Sequence, residues 1–572
     1  MNRSESYRLV EIGAILAFLV ATAALVVADP SPGALAVEKL PPSGAIEAHA
    51  YAMPNQGWAP LTVYFSAFGS SSTAGEIARY EWDLDANGRY DADATASGGY
   101  ASYVYKKSGT YRIGLKVTDS TGQAASDAVT VTVRYPASSS VDYWTIFDDS
   151  RVRRVEMRFR SSDWETIWTG PAKTRVPADI VLSGEVVKSV AVSTKGNASL
   201  EMSGQKKSWK VDTDYYVPGQ EYRNLKQLLF HNNFADASLL REKVAYDMMA
   251  FAGVPTGHAA YVELWIDLVD DSEPAEYWGV YTMVERVDAK FVANRFGRDQ
   301  GTGNLYKADA TPNEGSADLA YYGPDIEMYP KPRGAVAYGL QTNLDSPDYG
   351  DIIQLCYVID GVEYAAPEQF AGALEGALNV DGYLRYLAVI FTNLNLDTYP
   401  YTGNNFYLYN DPATGKFEVL PWDLNNSWGH FGGDAQFPLY GAPCCQGPLA
   451  WAPLFTKVFQ VEEYRRDYAA YVDLLVRFWL NDEAFGARAA GWQALLAPYL
   501  TKATGDKAYT GPDARMQVGD FSRDGLGLVA LTRQRCAYLR SVLDSGQWRT
   551  DVPEANARPA GLPAPVPQAG EP

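Results

Sequence analysis

The chain has 572 residues, with 49 Lys and Arg against 69 Asp and Glu, and a formal net charge of −20. That length exceeds one ordinary core, so about two to four domains are expected. A hydrophobic content of 47% excludes global disorder. The missing positive field excludes a basic nucleic-acid-binding protein, and four cysteines exclude a disulfide-built scaffold.

Two Arg fall in the first eight residues, an apolar run covers 13–28, and Asp29-Pro30-Ser31-Pro32-Gly33 breaks it. Residues 1–28 therefore read as a signal peptide, with Val26-x-Ala28 before the turn, or as an uncleaved signal anchor; a spanning helix needs about 20 residues. Either way the remainder is expected to be secreted or at the cell surface, with a membrane contact only through this segment. Residues 29–44 are a Pro/Gly/Ala-rich linker. Cys444 and Cys445 are adjacent, and Cys356 and Cys536 lie far apart, so disulfide pairing stays open. The four histidines, His49, His231, His258 and His430, show no zinc-ligand spacing with a Cys pair.

From 45 to 135 the pattern changes to short alternating apolar runs, at 61–65, 80–84, 111–117 and 129–133. Each is bounded by Gly, Ser, Asp or Pro, which predicts a small all-β, immunoglobulin-like sandwich. APLTVYFSA, YEWDLDANGRYD and YVYKKSGTYRIGLKVTDSTG resemble a PKD domain. The resemblance implies a spacer, or a module contacting a cell-surface protein or glycan. Within it, Asp83-x-Asp85-x-Asn87-Gly88-x-x-Asp91 has the alternating oxygens of a Ca2+ loop, but Ala94 stands where a bidentate Glu is needed. The alternative is an Asx-rich hairpin turn that satisfies its own backbone.

Residues 136–150 are a joint, 150–545 a long unit mixing strands and helices, and 551–572 a Pro/Ala-rich tail expected to be disordered. The overall class is thus α+β. Strands are expected at 155–159, 178–182 and 190–193, then a small loop, Lys195-Gly196-Asn197-Ala198-Ser199. Lys206-Lys207-Ser208-Trp209-Lys210 follows as a strand whose lysines suit an anionic ligand. Residues 238–253 read as a helix capped by Ser238 and stopped by Gly253. Strands at 260–266 and 277–285 come next.

A helix at 383–391 runs into Thr392-Asn-Leu-Asn-Leu-Asp397. Asn405 opens a strand, a turn at 410–415 reverses it, and the return strand ends at Asp423. The hairpin brings Asn405 beside Asp423. Phosphoryl transfer needs such a set: one carboxylate for the attacking hydroxyl, and an Asn and a second carboxylate for Mg2+ or Mn2+.

KGNAS, KKSWKVD, NLKQLLFHNNFADASLLREKVAYDMMAFAGVPT, YWGVYTMVERVD, GNLYKA, NNFYLYNDPATGKFEVLPWDLNNSWG and RQRCAYLRSVL together resemble the CotH kinase family over about 150–545. The resemblance implies a two-lobed atypical protein-kinase-like fold. It also implies ATP- and Mg2+-dependent phosphorylation of Ser or Thr in extracellular or coat-type proteins. Carried over, Asp397 is the catalytic-loop Asp, and Asn405 and Asp423 are the metal ligands. Lys207 or Lys210 holds the nucleotide phosphates, Arg241 sits on the αC-like helix, and Glu285 lies at the junction between lobes. Three features depart from the family pattern. Lys195 replaces an Arg, Asn425 replaces an Asp, and Asp397 stands further from Asn405 than in ordinary kinases. Two other readings stand beside this one: a catalytically inactive surface structural or adhesion protein, and a glycoside hydrolase using Asp397 and Asp423.

Overall fold

The computed structural model describes residues 46–135, 143, 145–197, 199–200, 206–234, 236, 238–297, 302–311, 313–441, 452–500, 527–552 and 561–567. Residues 1–45, on which the expected signal peptide or anchor and the linker fall, and Cys444 and Cys445 lie outside them. Besides a short paired couple, Ile46–Glu47 with Ser71–Ser72, the strands of the first region are in chain order β1 (Tyr51–Met53), β2 (Gln56–Trp58), β3 (Leu61–Ser66), β4 (Ile77–Asp83), β5 (Ala92–Asp93), β6 (Ala101–Tyr105), β7 (Gly109–Asp119) and β8 (Ala124–Arg134). They form two sheets, β1-β3-β6 and β2-β8-β7-β4-β5. Alternate residues such as Ile113, Leu115, Val117 and Val131 face Phe65 and Trp82 in the core between the sheets. In the acidic loop, the Asp83 carboxylate accepts the N–H groups of Asn87 at 3.0 Å and Gly88 at 2.9 Å. Asp85 accepts Asn87 N–H at 3.2 Å, and Asn87 accepts Arg89 N–H at 2.8 Å. These bonds are Asx turns within the loop, and Asp91 is exposed.

The next elements are β9 (Arg153–Phe159), α1 (Ser161–Thr169), β10 (Val176–Leu182), β11 (Glu185–Lys195), β12 (Ser208–Asp212), β13 (Gln227–His231), α2 (Arg241–Ala252), β14 (Ala259–Leu268) and β15 (Glu276–Val284). The strands close into a barrel, β9-β10-β11-β12-β13-β15-β14, sealed by the parallel pair β9 and β14. Met157, Ile180, Val192, Trp209, Phe230 and Met283 fill it. Helix α2 starts two residues later than the Ser238 cap predicts, with Leu240 in the capping position. The Ser238 hydroxyl instead accepts Leu240 N–H, and Asp236 accepts Arg241 N–H at 2.9 Å. Gly253 ends it in the left-handed region (φ 83°) as expected.

The second lobe is built on β16 (Leu305–Ala308), β17 (Tyr338–Leu340), α3 (Val380–Thr392), β18 (Phe406–Asp411) and β19 (Lys416–Pro421), with sheet order β17-β16-β18-β19. Helices α4 (Glu462–Leu474), α5 (Asp482–Leu500) and α6 (Leu528–Asp544) follow. Cys356 and Cys536 are buried free thiols. The tail is not wholly irregular, since Val566 pairs in parallel with Val362. Among the described residues no helix is long and apolar enough to cross a membrane.

The sandwich is not set apart as a spacer. Tyr51, Met53 and Tyr64 belong to the same core as α2, α3 and α4. Tyr64 stacks on Phe478 at 4.6 Å, Tyr100 donates to Asp473 at 2.8 Å, and Asn55 donates to Asp381 at 2.8 Å. A Cβ on Gly253 would meet Asn55 Oδ1 at 2.7 Å, so the end of α2 needs glycine for both its φ and this approach. Arg385 of α3 ties the three parts together. Its guanidinium donates to Ala52 O of β1 at 2.9 Å and to Ala252 O of α2 at 3.2 Å.

Candidate functional site

Three side chains come together at the open end of the β18–β19 hairpin. Phe406 pairs with Pro421, so Asn405 and Asp423 lie just beyond the last paired residues. Both occupy the left-handed region, with φ of 56° and 52°. Asn and Asp tolerate that region better than other non-glycine residues, at a cost of about 1–2 kcal/mol. Helix α3 ends through Leu394 (φ 57°) and leads into Asp397. Asn405 Nδ2 donates to Asp397 O at 2.9 Å and to Asp397 Oδ2 at 3.0 Å. Both partners are acceptors, which sets the amide orientation and leaves Asn405 Oδ1, without a donor among the described residues, able to accept a donor or a cation. Asn426 Nδ2 donates to the same Oδ2 at 2.7 Å. Burial pushes the Asp397 carboxyl up, the Asn426 amide pulls it back, and the nearby Asp423 charge adds to the rise.

Facing this group is the outer surface of the barrel. Val192, Trp209, Phe230 and Met283 point inward, so their out-of-phase neighbours point outward. Lys195 pairs with Ser208, and His231 with Thr282. Helix α2 packs on this face and presents Glu242. Lys195 Nζ lies 2.6 Å from His231 Nε2, and His231 Nδ1 lies 2.8 Å from Glu242 Oε1. Burial pushes His231 down to about 3, so the imidazole is neutral. It accepts from the Lys195 ammonium through Nε2 and donates to Glu242 through Nδ1. Burial also pushes Lys195 down and Glu242 up, while Asp423 and Glu242 hold Lys195 towards its charged form. His231, Glu242 and Asp423 each offer a ligand atom within 4.8 Å of the others.

Of the residues expected from the sequence, Asp397, Asn405 and Asp423 are brought together. The others are not part of that group. Lys207 donates to Leu200 O. Lys210 pairs with Asp212 at 3.7 Å and neighbours Arg286. Arg241 is buried against Asp236, 3.8 Å away. Glu285 is buried in an ion pair with Arg295 at 2.7 Å and accepts His258 N–H at 3.1 Å. Lys195 instead faces Asp423, and Arg241 does begin α2, but it is Glu242, one position later, that faces the site. His231, Asn426 and Lys307 also border the site, and the sequence pattern does not single them out. The available signal was their place in motifs: Lys195, His231 and Lys307 sit inside KGNAS, FHNN and GNLYKA. A separate cleft of about 470 Å3, beside Trp164 and Glu276, contains none of these residues.

The family model described as CotH kinase protein matches residues 192–539, more than half of the chain, and the PKD domain model matches 48–133. Inner spore coat protein H of Bacillus subtilis (strain 168) is 27% identical over 227 residues, covering 39% of this chain and 55% of that protein. The match therefore spans about half the length of that relative. Among solved structures, the PKD1 domain of Vibrio cholerae metalloprotease PrtV is 27% identical. It covers 16% of this chain and 96% of its own, with a TM-score of 0.13. The PKD1 domain of Vibrio anguillarum Epp is 25% identical over 17% of this chain and 100% of its own, also with a TM-score of 0.13.

Proposed function

The chain belongs to the CotH kinase protein family, and from that premise we propose that it transfers the γ-phosphoryl group of ATP to Ser or Thr hydroxyls of a protein outside the cytoplasm, of the extracellular or coat type. The observation that carries this reading is the meeting of Asp397, Asn405 and Asp423 opposite Lys195, His231 and Glu242. The donor set fits a hard divalent cation. Among the described residues Asn405 Oδ1 has no donor and the Asp423 carboxylate oxygens receive no hydrogen bond. Asn405 and Asp423 would hold Mg2+ or Mn2+, which with bound ATP supplies an activated phosphoryl group.

The chain's own residues then have distinct tasks. Asp397 is held by two amides on one oxygen, so its carboxylate is oriented to accept a proton from an acceptor hydroxyl. Lys195 presents a positive charge whose position is set by His231 and Glu242 behind it. The relative named as a spore coat protein supports an acceptor of the coat type. Asn425, which stands where the family often has Asp, favours the second reading, an inactive scaffold that works by adhesion.

The test is label transfer from γ-labelled ATP to a generic Ser/Thr acceptor with Mg2+ or Mn2+, using the full chain. Asp397→Asn is expected to lower transfer by about 100-fold or more. No transfer by the wild type, or equal transfer by Asp397→Asn, refutes the proposal.

A further inference from the structure

We propose that Lys307 is a second phosphate-binding cation, which clamps the polyphosphate tail of a nucleoside triphosphate from the C-terminal lobe, opposite Lys195. The proposal rests on the kinase-like reading of the same site and adds a residue and a ligand subsite to it.

The position follows from the sheet. Lys307 on β16 stands directly across from Tyr407 on β18, and Tyr407 from Leu420 on β19. Directly paired residues share a face. Strand β18 begins one residue after Asn405, and β19 ends two residues before Asp423. The row of Lys307, Tyr407 and Leu420 therefore lies two residues from Asn405 and three from Asp423. The Tyr407 ring lies 5.7 Å from that of Trp422, and Lys195 Nζ lies 5.9 Å from the Trp422 ring centre. The two lysines thus approach Asp423 from different lobes.

The charges do not balance. Asp423 is the strongest carboxylate influence on both Lys195 and Lys307; Asp309 also attracts Lys307 but is itself ion-paired with Arg333, and Glu242 attracts Lys195. The two ammonium groups repel each other, Lys173 repels both, and Arg286 repels Lys307. Lys307 is half-buried, yet among the described residues it has no hydrogen-bond or ion-pair partner. Holding a desolvated cation beside three others is unfavourable unless an anion joins them. A metal ion drawing on Asp423 would increase the need. In a chain of net charge −20, this local excess of positive charge fits a ligand with several negative charges on adjacent centres, as in a triphosphate.

The experiment measures binding by thermal shift and calorimetry on the full chain, with three probes: ATP and inorganic tripolyphosphate, each with Mg2+, and adenosine. Lys307→Met is expected to weaken ATP and tripolyphosphate by about 10- to 100-fold, leaving adenosine unchanged. Lys307→Arg is expected to stay within about tenfold of wild type. The unliganded Lys307→Met protein is expected to melt no lower than wild type, because an unpaired cation has been removed. Equal affinity of wild type and Lys307→Met for both polyanions overturns the proposal. A lowered melting temperature with unchanged polyanion affinity also overturns it, by making Lys307 a structural counterion of Asp423. Failure of the kinase reading is a different result: tripolyphosphate binding that depends on Lys307, with no advantage for ATP, sinks the nucleotide but keeps the clamp.

Discussion

Arg385→Ala removes the side chain that joins the sandwich, α2 and α3, and its cost follows from the bonds that the guanidinium makes. It donates to Ala52 O at 2.9 Å, Ala252 O at 3.2 Å and Asp381 Oδ2 at 2.9 Å. Ala252 O is among the last four carbonyls of its helix, which no helical N–H reaches. Each buried carbonyl left without a donor costs about 1 kcal/mol. The Asp381 pair adds less than a fully buried one, because that carboxylate is 42% exposed although the guanidinium is 2% exposed; about 0.5 kcal/mol is reasonable. The guanidinium also lies 4.1 Å from the centre of the Tyr471 ring, for about another 0.5–1 kcal/mol. The expected loss is therefore about 3 kcal/mol. Urea unfolding of wild type and variant, followed by tryptophan fluorescence, measures it. Arg385→Lys is expected to lose nearly as much, since one ammonium cannot span three acceptors arranged for a planar fork. A loss below about 1 kcal/mol for Arg385→Ala refutes the view that this residue fastens the sandwich to the second lobe.

Three further outcomes are expected. Asn426→Ala removes the 2.7 Å donor to Asp397, so label transfer should fall about tenfold and the acid limb of the pH–rate profile should move to higher pH; an unmoved limb argues against this positioning role. Buried Glu418 accepts Asn379 Nδ2 at 2.9 Å, and burial pushes it from 4.5 up to about 7. Between those two values the folded state holds more protons than the unfolded chain, so wild-type stability should fall as pH rises from 4.5 to 7. Glu418→Gln should flatten that fall in urea titrations at a series of pH values, and parallel curves would count against it. Lys206 is buried with its ammonium 5.1 Å from the centre of the Tyr281 ring and, among the described residues, no hydrogen-bond partner, and burial pushes it down to about 7. The unfolded chain stays protonated to about 10.5, so its cost should be greatest below pH 7 and fade towards pH 10. Lys206→Met should thus gain most stability at about pH 6 and little at about pH 10; a gain independent of pH excludes the buried charge as its cause.

Local signals in the sequence proved sufficient for several features. The alternating runs between 61 and 133 carry the sandwich strands, because a two-residue period with one buried face needs only the neighbouring strand. The apolar run before Asp397, the turn at 410–415 and the residues flanking it place Asp397, Asn405 and Asp423 together, because a helix end and a tight hairpin are short-range structures. Glu242 was harder to read. Helix α2 buries Arg241, Glu242 and Lys243 alike, so no amphipathic stripe shows which of them faces the site. Choosing Lys195 over Lys207 or Lys210 likewise depends on which barrel strand ends beside Asp423.

By itself, then, the sequence determined the order of elements, the sandwich and the oxygen-bearing corner at the β18–β19 hairpin. Only the tertiary structure decided that Lys195, His231 and Glu242 close the site from the other side. The same is true of the sandwich, which is packed into the main core through Tyr51, Tyr64 and Arg385. The physical reason is distance along the chain. Strand alternation and hairpin turns are governed by residues a few positions apart, whereas barrel closure and interdomain packing depend on surfaces that meet only after the whole chain has folded.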